Sequence, residues 1–232
     1  MKIIKQYLTF SDYQIHLRRS GDFGPPIILL HQTPLSSRMY ELTLPYLGER
    51  MQAVAFDTPG YGNSSPLINK ISLNNYAKRI TSAIKKLGFD KFALAGFATG
   101  SALAIMLASN LGNKVTHLIL SGTPILSDTE IDFYSKNLPD INPRLDGSHL
   151  NEIWKNRINS YGSEGGIDQI QMVLEESLSA TGKINSGLEA VLNSNFKEKL
   201  KLINQKVLFL TLENDKLATS NRRAASFVKH AD

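Results

Sequence analysis

The segment LAGFATGSALA, residues 94–104, carries an apolar run into a small-residue run through a turn framed by Gly96 and Gly100. The incoming KFALAG (91–96) reads as a strand, and the stretch from about Thr99 to Gly112 reads as a helix. A sharp strand–turn–helix needs such glycines, because backbones approach closely there and the apex residue is held strained and exposed. Ala98 occupies the apex. Gly100, Ala102, Ala104 and Ala108 are small enough to let the helix lie close to a sheet. Alone, the segment also describes an ordinary strand-to-helix turn with two glycines, so its neighbours decide.

Working outward, PPIILLHQTP (25–34), MQAVAFDTPGYGNS (51–64), VTHLILSGTP (115–124) and KVLFLTLEND (206–215) repeat the pattern of a continuously apolar run ending in a polar loop. Such runs fit strands covered on both faces. KIIKQYLTF (2–10) and YQIHLRR (13–19) instead alternate, and Ser11-Asp12 splits them, which predicts an antiparallel hairpin with one wet face. Between the strands, SSRMYELTLPYLG (36–48) reads as a helix capped by Ser36 or Ser37 and closed by Gly48. NNYAKRITSAIKKLG (74–88) places Tyr76, Ile80, Ala83, Ile84 and Leu87 on one helical face. Alternating strands and helices predict an α/β fold: a mostly parallel central sheet, helices on both faces, and the hairpin at its start. Residues 127–204 break the alternation with helical patches, such as LNEIWKNRI (150–158) and IDQIQMVLEESL (167–178), and read as a helical insertion over one end of the sheet.

Composition narrows the function. The 232 residues suffice for one full core, and 26 basic against 21 acidic residues give a net charge of +5. The charges are scattered. The densest basic stretches, Lys197–Lys206 and Arg222–Arg223, read as solvated helix faces rather than a nucleic-acid surface. No cysteine is present, so disulfides and thiolate metal sites are excluded. The first residues show no signal-peptide pattern, and no run of about 18 apolar residues would span a membrane. The expectation is a soluble cytoplasmic protein that binds neither nucleic acid nor membrane.

Ligands in open α/β sheets bind beyond the carboxyl ends of the strands. Four such ends carry GFATG (96–100), LLHQTPLSS (29–37), FDTPGYGNS (56–64) and LENDKL (212–217). Together they resemble the α/β-hydrolase superfamily, over the whole chain: HQTP is similar to its His-Gly-x-Pro segment and DTPGYGNS to its Asp-x-Pro-Gly-x-Gly-x-Ser loop. The resemblance implies a core of residues 1–126 and 205–232 with a helical lid of residues 127–204. It implies attack on a small carbonyl substrate (ester, amide or C–C), no cofactor, Asp215 as the triad acid, and an oxyanion held by the N–H groups of Thr33 and Thr99. Gln32, where the family has glycine, either donates its amide to a ligand oxygen or braces the loop. His31 is a candidate substrate-binding residue that more simply braces the loop, and Asp57 braces its own glycine turn or faces the pocket. Phe97, Tyr61, Phe133, Tyr134, Trp154, Tyr161 and Met172 are candidate pocket walls, each with core packing as the plainer reading.

Two departures shape the functional expectation. Ala98 has no nucleophilic atom, so acyl transfer at this position is unavailable; the hydroxyls of Thr99 and Ser101 lie off the apex. The family's histidine follows one more strand after the helix here written ATSNRRAASFVKHAD (218–232). The reading therefore expects neither that strand nor that histidine, with His230 at a helix end. It leaves KVLFLTL as an apolar sheet edge that favours a partner, a homo-oligomer included. His149 is a weaker candidate for reaching the pocket, and His16 and His117 read as structural. No His/Asp/Glu set has metal-ligand spacing, and no glycine turn has that of a phosphate loop. Three readings accommodate the alanine: an engineered or truncated serine hydrolase, a cofactor-free lyase, isomerase or proton-transfer enzyme, and a non-catalytic small-molecule binder.

Overall fold

The computed structural model describes residues 1–68, 70–136, 142–161, 166–180 and 185–229, with the side chains of residues 160 and 161 outside that description. Its strands are β1 (Ile4–Thr9), β2 (Gln14–Ser20), β3 (Pro26–Leu30), β4 (Gln52–Phe56), β5 (Phe92–Phe97), β6 (Val115–Ser121) and β7 (Lys206–Leu210). Its helices are α1 (Leu44–Leu47), α2 (Leu73–Leu87), α3 (Thr99–Leu111), α4 (Asp128–Lys136), α5 (Ser148–Tyr161), α6 (Gly166–Ser179), α7 (Ser186–Leu192), α8 (Phe196–Leu200) and α9 (Ala218–Ala225).

The seven strands form one sheet in the order β1-β2-β4-β3-β5-β6-β7. β1 pairs antiparallel with β2, and β2 antiparallel with β4. Every remaining neighbour is parallel, so the expected mostly parallel sheet with an antiparallel N-terminal hairpin is present. Successive side chains in β3 and β4 point to opposite faces. Ile28, Leu30, Val54 and Phe56 meet α2 and α3 in the larger core, while Ile27, Leu29, Ala53 and Ala55 meet α1 on the other face. β7 buries Val207 but leaves Leu208 and Leu210 exposed at the end of the sheet order.

Helix α2 follows from its sequence. The Ser72 side chain caps the N–H of Asn75, Gly88 closes the helix in the left-handed conformation, and Tyr76, Ile80, Ala83 and Ile84 are buried. The stretch 36–48 differs from the single helix expected. Ser36 does cap, but it caps a 3-10 turn (Ser37–Tyr40), and only Leu44–Leu47 beyond it is α-helical. Pro45 accounts for the break: having no N–H, it fits the first turn of a new helix and cannot carry an existing one. Between β6 and β7 the described residues are helical, without a strand. Ala190, Val191, Phe196, Leu200 and Ile203 from this stretch join the larger core. α4 is tied to α9 by the Glu130–Arg223 ion pair at 2.8 Å.

Candidate active site

Four loops leave the carboxyl ends of neighbouring strands. Between β5 and α3, Ala98 holds φ +50° and ψ −114°, a conformation L side chains rarely adopt. Its N–H donates to the Ser121 carbonyl at 2.9 Å, and its carbonyl accepts the Ser101 N–H at 3.0 Å. The flanking glycines are needed: a Cβ at Gly96 would overlap the Gly100 carbonyl, and one at Gly100 would overlap the Leu30 carbonyl. α3 is thereby pressed against the end of β3. Ala98 itself is buried and ends in a methyl group. The Ser101 hydroxyl is also buried, and it donates back to the Ala98 carbonyl.

The loop after β3 is locked from within. His31 is buried, and its Nε2 accepts the Thr58 N–H at 2.9 Å, so its proton lies on Nδ1 and is donated to the Gln32 carbonyl. Burial pushes the imidazole pKa down, against the opposing charge of Asp57. Both ring nitrogens are thus engaged in a neutral brace. The Thr33 N–H donates to Thr99 Oγ1 at 2.7 Å, so this expected oxyanion donor is already occupied by the neighbouring side chain. Gln32 is half-buried, and its carbonyl also accepts the Leu35 N–H.

Asp57, fully buried after β4, accepts the N–H groups of Ser37 and Asn63 and a hydrogen bond from His16 Nδ1 at 2.7 Å. Burial alone would push its carboxyl up. The hydrogen bonds from His16 first, then from the Asn63 and Ser37 N–H groups, hold it down to about 2. Asp57 therefore ties its own glycine turn to β2 and to the loop after β3. Asp215 follows β7. Its Oδ1 accepts the Leu217 N–H at 2.9 Å, and its Oδ2 lies 3.0 Å from the position a Cβ on Gly122 would take. Phe97 borders the same spot at 3.4 Å, so Asp215 and Phe97 meet beside the end of β6. Tyr134 on α4 is close enough that burial, then the charges of Glu130 and Asp215, raise its hydroxyl pKa.

Thr33, Thr99 and His31 line one small cavity of about 10 Å³, room for about one water molecule, with Thr58, Leu73, Tyr76, Leu103 and Gly187. Ala98, Phe97, Asp215 and Trp154 lie outside that lining. Trp154 is half-buried on α5 beside buried Ile153. Met172 is half-buried and Phe133 is largely exposed. The Tyr161 ring and His230 fall outside the described residues. His149, in the first turn of α5, accepts the Arg144 N–H of the preceding loop at Nδ1, and His117 lies in the amino-terminal half of β6, away from the Phe97–Ser121 end.

The sequence reading missed a second polar assembly. Tyr61 is 2% exposed, and its hydroxyl accepts the Gly187 N–H of α7 at 2.7 Å and bonds to Tyr76 and Thr33. Burial raises its pKa to about 12. The available signal was its partner Tyr76, since a tyrosine on the apolar stripe of α2 must still satisfy its hydroxyl. The His16–Asp57 pair was missed for a related reason. His16 and Arg18 sit two apart on one face of β2, both buried, where polar groups require partners.

The family model for the alpha/beta hydrolase fold matches residues 25–152, more than half of the chain. The chain belongs to the alpha/beta hydrolase fold family. A pimeloyl-[acyl-carrier protein] methyl ester esterase of Legionella pneumophila (strain Corby) is 30% identical over 142 residues, which cover 56% of each protein. The chain spans about half the length of the curated relatives it matches. Among solved alpha/beta-fold structures, a hydrolase from Pseudomonas aeruginosa PA01 has a TM-score of 0.83 at 17% identity, covering 98% of this chain and 88% of its own. The enol-lactonase of Burkholderia xenovorans LB400 has a TM-score of 0.77 at 13% identity, covering 97% and 89%. Both likenesses extend the alpha/beta hydrolase architecture beyond the matched segment. Among the described residues no helix is long and apolar enough to cross a membrane, and no group of three His, Cys, Asp or Glu could hold a metal ion.

Proposed function

We propose that this chain takes a small carbonyl-bearing molecule, an ester or amide, at the carboxyl ends of its central strands, and that as written it does not hydrolyse it by acyl transfer. The observation that carries this reading is the methyl group of Ala98 at the apex of the strained turn. A methyl cannot attack a carbonyl, and among the described residues no histidine stands ready to activate a neighbour. His31 has both ring nitrogens engaged, His16 is bonded to Asp57, and His149 accepts a backbone N–H. The carbonyl preference draws support from the esterase relative. In this reading Asp215 holds the acid position, Thr33 and Thr99 frame the ligand oxygen, and residues 127–204 act as the lid over a core of residues 1–126 and 205–232. A non-catalytic binder is the second reading, favoured by the occupied Thr33 N–H.

Incubation of the purified chain with 4-nitrophenyl acetate tests the proposal. Nitrophenol release should stay at the rate of a heat-denatured control. Steady turnover, unchanged by Asp215→Asn, would overturn both the inactivity and the acid assignment. Thermal stabilisation by a carbonyl ligand without product formation would favour the binder, and product formation without an acyl-enzyme would favour lyase or isomerase chemistry.

A further inference from the structure

Beside the tyrosine pair the fold leaves a larger cavity of about 130 Å³. Its floor is buried and is set by Pro59 and the rings of Tyr61 and Tyr76, while Pro66, Leu67 and Ile71 form a more exposed apolar rim. The hydroxyls of the two tyrosines are engaged with each other and with the Gly187 N–H, so they offer an occupant ring surface only. Ser186 of α7 is different. It lines the cavity at 5% exposure, and its hydroxyl meets no hydrogen-bond partner among the described residues. That oxygen is nevertheless not shut wholly inside the fold, so it opens on the cavity. A buried hydroxyl loses its water and is compensated only when a partner arrives. Ala98, Thr33, Thr99 and Asp215 do not line this space, and Tyr76 alone borders both it and the smaller cavity beside Thr33 and Thr99.

We propose that this cavity is a second binding site, for a neutral molecule of one aromatic ring bearing a single hydroxyl, its ring packed against the tyrosines and the apolar rim and its oxygen bonded to Ser186. Size comes first. An apolar cavity of about 150 Å³ holds a benzene ring, so one of about 130 Å³ admits a single ring and little more. Shape follows, because the rings of two tyrosines and two prolines suit a flat occupant, and aromatic rings gain from offset or edge contacts with one another. Charge is excluded by the lining, which holds no carboxylate, ammonium, guanidinium or imidazole, so an ion would leave water without a counter-charge. One open hydroxyl among apolar walls is the pattern by which pockets fix the orientation of a ligand. Serine can donate to a ligand hydroxyl or accept from it. The walls are also preformed. The Gly187 N–H holds Tyr61, and a Cβ at Gly187 would overlap the Thr33 side chain, so α7 is seated against both. Little ordering is then required on binding.

The test uses the full chain with phenol, benzene, benzoate and benzylammonium as probes, followed by NMR titration of the Leu67 and Ile71 methyls. Phenol should shift these resonances saturably, and the two charged rings should bind at least about tenfold more weakly. Ser186→Ala removes the hydroxyl and keeps the space. A neutral hydrogen bond is worth about fivefold in affinity, so phenol should bind Ser186→Ala about fivefold more weakly, while benzene binds it as it binds the parent. Ile71→Phe fills the rim and should abolish saturable binding of both rings, with an unfolding midpoint close to the parent's showing that the fold is kept. Leu67→Phe repeats the filling from a second rim position. Phenol shifts centred instead on Thr33, Thr99 or Asp215, or binding that survives both filling variants, overturn the site. No loss of phenol in Ser186→Ala, or an equal loss of phenol and benzene, overturns the role of the hydroxyl. Binding of either charged ring as tightly as phenol overturns the neutral class. No saturable shift by phenol in the parent overturns the proposal outright, and none of these outcomes bears on the ester or amide reading of the strand ends.

Discussion

At φ +50°, Ala98 pays for a turn whose apex group it lacks. Conformations of this kind cost about 1–3 kcal/mol, partly offset on glycine substitution by the entropy of a freer unfolded chain. Ala98→Gly should therefore raise stability by about 1 kcal/mol in denaturant unfolding. Ala98→Ser tests the chemistry instead. Nucleophile and base act as a unit, so restoring one without the other recovers little; 4-nitrophenyl acetate hydrolysis should rise by no more than about tenfold. Asp57 makes a third prediction, about pH. Its pKa in the fold, about 2, lies below the ordinary 3.8. Its contribution, on the order of 2 kcal/mol, is then fully present above about pH 4 and lost as the pH falls through about 2. Unfolding free energies measured down that range should decline, and Asp57→Asn should flatten the decline while lowering stability at neutral pH by about 3 kcal/mol or more, because His16 and two backbone N–H groups lose a charged acceptor.

The elements show what sequence periodicity can and cannot reveal. β3 to β7 were legible because buried parallel strands are continuously apolar, and α2 because a stripe, a serine cap and a closing glycine agree. The stretch 36–48 was not, since the Ser36 cap is real but Pro45 divides the residues beyond it into a 3-10 turn and a separate short helix. The loops that frame the site were also legible, because their glycines and prolines are local. The contacts within them were not. Thr33 and Thr99 meet through a side-chain rotamer across 66 positions, and His16 meets Asp57 across 41. Gly100 was read as a close-approach residue, and its place against the Leu30 carbonyl makes that quantitative. Gly100→Ala must push α3 away from β3, and should cost about 2–3 kcal/mol as overpacking, measurable as a fall in the denaturation midpoint.

At the scale of the molecule, β7 is the outermost strand of the sheet among the described residues, and its Leu208 and Leu210 are 42% and 47% exposed. A strand with an unpaired side and apolar flanks templates association. Sedimentation velocity of this chain should show concentration-dependent self-association, and Leu208→Lys with Leu210→Lys should weaken it without lowering the unfolding midpoint, since neither leucine is in the core. β7 also reaches its place by a long route. It pairs with β6, yet all of residues 122–205 lie between the two strands in the chain. On a ribosome, β6 emerges and waits, its outer edge open, through the synthesis of α4 to α8 before its neighbour arrives. At ordinary translation rates of about 5–20 residues per second that interval lasts seconds. Closure of so distant a pair carries a large entropic barrier, which places it among the slow steps of folding. The nascent chain is thus most vulnerable, to misassembly or to capture by a chaperone, during the time when the rest of the parallel core has formed and β7 is still to come.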